Sequence, residues 1–166
     1  MSCVSIGIKD NDLYVVIEGK GTAEYCSELN GCIQNYFSSM DIDHVYFDTK
    51  NAIYLDSSFI GIILSVKKKL SSKEKSVCLL NPSDKIVDVF QLMGLDSFVP
   101  SIYDQKILCE KCSIEIHKKL ENTISDIKLL LDSHKTLMST SSENYKRFAL
   151  VEKVFQKELD QKQYHN

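Results

Sequence analysis

Apolar residues recur along this chain with two different periods, and the changes of period mark out its elements. Val4, Ile6 and Ile8 alternate with small residues, Lys9-Asp10-Asn11-Asp12 supplies turn chemistry, and Leu13-Tyr14-Val15-Val16-Ile17 follows, which reads as a β-hairpin. Gly19-Lys20-Gly21 is expected to break the second strand. Thr22 then caps a helix whose apolar positions, Ala23, Cys26, Leu29, Ile33 and Phe37, are spaced by three and four. His44 to Asp48 reads as a third strand, central and buried, followed by a loop from Thr49 to Leu55. A helix opened by Asp56-Ser57-Ser58 runs through Ile60, Ile63 and Leu64 to about Leu70. Ser76 to Leu80 forms a short apolar strand, and Asn81-Pro82-Ser83 makes a turn and cap. Ile86, Val89, Phe90 and Met93 share a helical face that Gly94 ends. Phe98-Val99 and Ile102-Tyr103 offer a last edge strand beside Pro100.

Strand, strand, helix, strand, helix, strand, helix is the order of an α/β domain with one mixed sheet and helices packed mainly on one side. Residues 1–103 fit that unit. Residues 104–166 read as a helical extension. Leu108, Cys112, Ile116, Leu120, Ile124, Ile127, Leu131, His134 and Met138 recur at helical spacing as one long amphipathic face. Ser139-Thr140-Ser141-Ser142 interrupts it, and Glu143 to Gln163 forms a second helix with Phe148, Val151, Val154, Phe155 and Leu159 inward. A hairpin of two such helices cannot bury its stripe alone, so it packs on the α/β domain, on a second copy or on a partner.

Composition narrows the partners. The apolar fraction of 43% supports a core, and 20 basic against 23 acidic residues, with no long single-sign block, argue against direct nucleic-acid binding. No run approaches the roughly 18 apolar residues of a membrane span, so no membrane insertion is expected. Met1-Ser2-Cys3-Val4-Ser5 lacks the basic and apolar blocks of a signal peptide. The six cysteines, several inside apolar periodic segments, then read as small core residues of a reduced, cytoplasmic protein.

The sharpest chemical signal is Asp56-Ser57-Ser58 at the strand-to-helix junction. A helix start carries unpaired N–H groups and partial positive charge, which favour Asp and Ser caps and can hold an anion. A serine there is well placed to carry a phosphate. The plain alternative is an N-cap with no further role. The surrounding pattern extends the signal: Asp48, then Asp56-Ser57-Ser58-Phe59-Ile60-Gly61, Leu79-Leu80-Asn81, and Phe90-x2-Met93-Gly94-Leu95-Asp96-x-Phe98. In this order, over about residues 3 to 103, it resembles the STAS domain of bacterial anti-sigma factor antagonists.

The resemblance implies a non-catalytic phospho-switch. Ser57 is the expected phospho-acceptor, with Ser58 as the alternative, and Asp56, Ser57, Ser58, Phe59 and Gly61 form the expected docking surface. An anti-sigma factor serine kinase binds the unmodified form and is released on phosphorylation, and a PP2C-type phosphatase restores the switch. Phe59 has two readings, on the docking surface or in the core. Many family members carry Gly-Glu-Leu-Asp after the second strand, where this chain has Gly19-Lys20-Gly21-Thr22 and so lacks that acidic residue. This departure leaves open a second function, a STAS-like scaffold or assembly protein that self-associates through its C-terminal helices without phosphorylation.

Other motifs weigh less. Cys109-x-x-Cys112 lies in a helical pattern with only His117 as a nearby further ligand, so no metal or redox site is expected. His134 falls on the apolar stripe and reads as a packed histidine with one satisfied nitrogen. Lys67-Lys68-Lys69 reads as a solvated helix end. Asp48 stands where receiver domains place a phospho-acceptor, but Lys9-Asp10-Asn11-Asp12 falls in a hairpin turn and Ser101-Ile102-Tyr103 offers no lysine. Gly-x-Ser-x-Gly chemistry is absent too. No enzyme activity and no cofactor are expected.

Overall fold

The computed structural model describes residues 1–70, 74–107 and 114–165. In chain order its elements are β1 (Cys3–Lys9), β2 (Asp12–Gly21), α1 (Ala23–Ser39), β3 (His44–Leu55), α2 (Ser57–Lys69), β4 (Ser76–Leu80), α3 (Asp84–Leu92), β5 (Ser101–Ile102), β6 (Ile114–Ile116), α4 (Ile124–Met138) and α5 (Ser142–Tyr164). The strands form one mixed sheet in the order β5-β4-β3-β2-β1-β6. β1 pairs antiparallel with β2 and β6, whereas β2, β3, β4 and β5 run parallel to one another.

Strand alternation decides which face the helices cover. Register aligns Ile6, Val15, Phe47 and Leu79 across four strands, and all four side chains are fully buried. They form one core with Cys26, Leu29 and Ile33 of α1, Phe59, Ile60 and Ile63 of α2, and Ile86 and Phe90 of α3. Each such aliphatic or aromatic side chain contributes about 1.5–3 kcal/mol of burial. The opposite face carries Asp12, His44 and Tyr46, with His44 Nδ1 at 2.8 Å from Asp12 Oδ1 and the two rings stacked. The α/β arrangement with helices mainly on one side is therefore present as expected from the pattern.

Helix ends follow the local chemistry. After α3, Gly94 takes φ +64°, and the Leu95 N–H donates to Phe90 O at 2.8 Å, so the glycine supplies the left-handed turn that ends the helix and brings buried Leu95 back onto the core. Pro100 precedes the short edge strand β5.

Three elements differ from the sequence expectation. Gly19-Lys20-Gly21 does not break β2, and Thr49 to Leu55 is strand rather than loop. The two segments satisfy each other in parallel, Gly19 opposite Ala52, Lys20 opposite Tyr54 and Gly21 opposite Leu55, with register shifts absorbing the irregularity. A Cβ on Gly21 would lie 2.7 Å from Leu55 Cδ2 and 3.1 Å from the Phe59 ring, so the missing side chain lets β3 and α2 close on this strand.

The second difference lies in the extension. Ile114-Glu115-Ile116 is strand β6, not helix, and α4 begins only at Ile124. β1 would otherwise be an open edge, and the Ile-Glu-Ile alternation lets Ile116 enter the core while pairing Val4. Leu120 is accordingly exposed, and Leu108 and Cys112 lie outside the described residues. Third, within α5 only Phe148 and Leu159 of the expected inward set are buried, with Phe155 packed beside them, while Val151 and Val154 face outward. The α5 stripe is narrower because one helix, α4, is its main neighbour.

Candidate functional site

The junction between β3 and α2 is built around Asp56. Its carboxylate accepts the Phe59 N–H on Oδ1 and the Ala23 N–H on Oδ2, both at 2.8 Å. One side chain thus caps the first turns of two helices, α2 and α1, and Thr22, which precedes α1, makes no side-chain cap of its own. The Asp56 N–H donates to Gly21 O at 3.0 Å, which fixes the junction to the end of β2. Asp56 is half-buried, and each of its carboxylate oxygens accepts a hydrogen bond from within the chain.

That frame sets the positions of the next five residues. Ser57 occupies the first position of α2, half-buried. Ser58 is buried, and Phe59 is fully buried in the main core, the second of its two readings. Gly61 is buried one turn after Ser57, under α4.

The Ser57 hydroxyl is not free. Its Oγ lies 2.9 Å from His134 Nε2, and His134 Nδ1 lies 2.7 Å from Leu130 O. The carbonyl can only accept, so Nδ1 carries the proton; in the neutral ring Nε2 is then an acceptor and the Ser57 O–H donates to it. His134 is 1% exposed and is walled by the Phe148 ring at 6.1 Å and the Phe155 ring at 5.2 Å. Both its ring nitrogens are engaged, one more than the sequence suggests. The apolar spacing on α4 placed His134 facing inward, but no local signal identified Ser57, 77 residues away, as its partner.

α2 and α4 meet along a seam of small residues. Ser57, Gly61 and Ser65 are spaced by four and share one face of α2. A Cβ on Gly61 would lie 2.6 Å from Ser133 O and 2.7 Å from Ser133 Cβ, closer than a side chain tolerates. Ser65 Oγ donates to Gly61 O at 2.8 Å and meets Thr136 Oγ1 at 3.5 Å. Around this seam Leu130, Leu137, Met138 and Phe148 join the main core, whereas Ile127, Leu131 and Leu159 form a separate cluster within the hairpin.

Two polar clasps hold the hairpin ends. Thr123 and Asp126 form a capping box at the start of α4. Burial works to raise the Asp126 carboxyl, but hydrogen bonds from Ser27 of α1, from Thr123 and from the Glu121 backbone outweigh it and hold it below the ordinary carboxylate range. At the start of α5, fully buried Asn144 donates through Nδ2 to Met93 O at 2.9 Å and to Thr140 Oγ1 at 2.8 Å.

Chemistry elsewhere is sparse. Among the described residues no group of three or more His, Cys, Asp or Glu could hold a metal ion, and Cys109-x-x-Cys112 lies outside them. Cys26 and Cys78 are buried thiols, the first pushed far above its ordinary value by burial and by Asp56, the second pushed up to about 12 by burial and by Asp12. Among the described residues no helix is long and apolar enough to cross a membrane.

Comparison with known proteins places this arrangement. The model of the STAS domain family matches residues 5–106. The anti-sigma factor antagonist SpoIIAA in its unphosphorylated form aligns with a TM-score of 0.55 at 17% identity, covering 62% of this chain and 90% of that one. The phosphorylated form of SpoIIAA, the Bacillus cell fate determinant, aligns at 0.51 and 17% over 62% and 94%. A candidate anti-sigma factor antagonist from Thermotoga maritima aligns at 0.52 and 19% over 61% and 86%. Comparison with curated proteins gives no match. At these identities the structural likeness is one of fold, and strands β2 to β5, the α1–α3 layer and the Asp56-capped junction fall inside the matched segment, whereas β6 and the α4–α5 hairpin lie beyond it. The chain belongs to the STAS domain family, a family of non-catalytic regulatory domains.

Proposed function

We propose that this chain is a partner-switching protein, an antagonist of an anti-sigma factor, whose binding state is set by phosphate on Ser57. The observation that carries the reading is the position of Ser57, directly after a doubly engaged Asp56 and at the first turn of α2. A phosphoryl group there adds about −1.5 to −2 charge next to the positive end of a helix, which favours the anion within the α/β domain. A partner surface matched to a neutral hydroxyl would be repelled. An anti-sigma factor serine kinase is the partner and modifying enzyme, and a PP2C-type phosphatase reverses the step. Ser58 is the lesser acceptor because its side chain is buried. Incubation with the cognate kinase and ATP, followed by intact mass, tests the site. Wild type gains one phosphate and Ser57→Ala gains none; equal uptake by both overturns the assignment.

A second reading is favoured by the outer face of α5, where Leu150 and Val154 are 73% and 58% exposed one turn apart. Under it the chain is a scaffold that assembles through the hairpin. Light scattering across a concentration series decides: a monomer throughout refutes assembly, while a dimer lost in Leu150→Lys supports it.

A further inference from the structure

We infer that the α4–α5 hairpin is an intramolecular lid on the switch site, occupying the Ser57 face of α2 in place of the partner, so that phosphate on Ser57 and a closed lid exclude each other. The inference rests on the reading of Ser57 as the switch residue and adds the regulation of that site.

Three observations carry it. The Ser57 hydroxyl already has an occupant, His134 Nε2 at 2.9 Å, on a helix that belongs to this chain but not to the segment matched by the family model. The contact is enclosed, since His134 is 1% exposed and the Phe148 and Phe155 rings lie against it. The seam beside it has no slack, because Gly61 leaves no room even for a methyl group beneath Ser133.

Phosphorylation breaks this arrangement in a defined way. On transfer from ATP, the bond between the γ-phosphorus and the ADP oxygen breaks, ADP leaves, an O–P bond forms at Ser57 Oγ and the hydroxyl proton is lost, so the donor that Nε2 accepts from is gone. In the neutral ring, Nε2, backed by the Phe148 and Phe155 rings, then turns a lone pair toward a phosphate dianion. Nδ1 stays committed to Leu130 O and cannot compensate. The group is also too large for a 2.9 Å contact, so either the lid lifts or the phosphate is not accommodated. Conversely, a kinase that must reach the Ser57 Oγ meets the lid first, and the rate of modification falls to that of the open lid multiplied by the fraction of time the lid is open.

Lifting withdraws Leu130, Leu137, Met138 and Phe148 from the main core and opens the Asn144–Met93 contact, but it breaks no hydrogen bond within the sheet. Ile127, Leu131 and Leu159 keep the two helices together as a unit, and the six strands and the Asp56 junction do not depend on α4 or α5 for hydrogen bonds.

The test uses the full chain with phosphoserine genetically encoded at position 57, which needs no kinase. Backbone hydrogen exchange is followed by mass spectrometry beside the unmodified chain. The expected result is exchange at least ten-fold faster across α4 and α5, with β2 and β3 unchanged. Unchanged or slower exchange in the hairpin, the latter being the mark of a protonated His134 clamping the phosphate, overturns the lid. So does a uniform loss of protection that includes the sheet. A second arm locks the seam with Ser65→Cys and Thr136→Cys. The oxidised chain is expected to take up phosphate from the cognate kinase at least ten-fold more slowly than the reduced chain. Equal uptake in both states overturns the lid and leaves the switch standing. No phosphate in either state counts against Ser57 as acceptor, and the exchange experiment still judges the lid.

Discussion

Replacing Gly61 by alanine sets two effects of opposite sign against each other in one residue. In the middle of α2, alanine is the better helix former by about 1 kcal/mol, so on local grounds Gly61→Ala stabilises. Across the seam, the new Cβ lies 2.6 Å from Ser133 O and 2.8 Å from Ser133 C, which are backbone atoms and cannot rotate away. α4 must retreat by the better part of an ångström, and overpacking of this kind costs about 1–3 kcal/mol. Both helices enter the main core, α2 through Phe59, Ile60 and Ile63 and α4 through Leu130, Leu137 and Met138, and the hairpin, which among the described residues hydrogen-bonds to no strand, is the body expected to move. The expected outcome is a local loss. Hydrogen exchange in α4 and α5 speeds up ten-fold or more, while the free energy of urea unfolding, read on the sheet, changes by less than about 1 kcal/mol in either direction. A uniform gain of about 1 kcal/mol with hairpin protection unchanged would show that the close approach of α2 and α4 is not a constraint, and the reasoning about the seam would fall.

Three further predictions follow from the site's supports. Asp56→Ala removes the cap of two helices at once and is expected to cost about 1–4 kcal/mol in urea unfolding, twice the usual single-cap loss; a cost below about 0.5 kcal/mol would contradict the double role. Asp126→Ala is expected to cost about 0.5–2 kcal/mol at pH 7. Since the folded Asp126 carboxyl is held below its unfolded value, its charged-state contribution is present above the unfolded value of about 4 and is lost as pH falls through the folded value, so the gap between wild type and variant narrows in that window. At pH 8, iodoacetamide is expected to leave Cys26 and Cys78 unlabelled until the chain unfolds, because both thiols are buried with raised pKa values; peptide mapping of native and urea-treated protein reads this directly.

Most of the matched domain was legible because its signals are local. Alternation in Val4 to Ile8, the three- and four-residue spacing from Ala23 to Phe37, and Gly94 at a helix end each report a short-range rule, and β1, α1 and the end of α3 follow it. The Asp56-Ser57-Ser58 junction was legible for the same reason. What could not be read is set by pairing at long range. Ile114-Glu115-Ile116 fits a helical stripe as well as a strand, and only the open edge of β1 decides between them. Thr49 to Leu55 has loop composition but continues as strand because β2 supplies a parallel partner past Gly19. His134 and Ser57 each carry an ordinary local reading, an inward-facing histidine and a capped serine. Their contact arises from the way Gly61 lets two helices approach.

In the proposed switch, the state of Ser57 decides partner binding. The direct measurement is the affinity of the cognate anti-sigma factor kinase for the full chain in two forms, unmodified and with phosphoserine encoded at position 57, by calorimetry at matched salt. The expected result is binding of the unmodified chain and a loss of at least a hundred-fold on phosphorylation. Equal affinity for the two forms would contradict it.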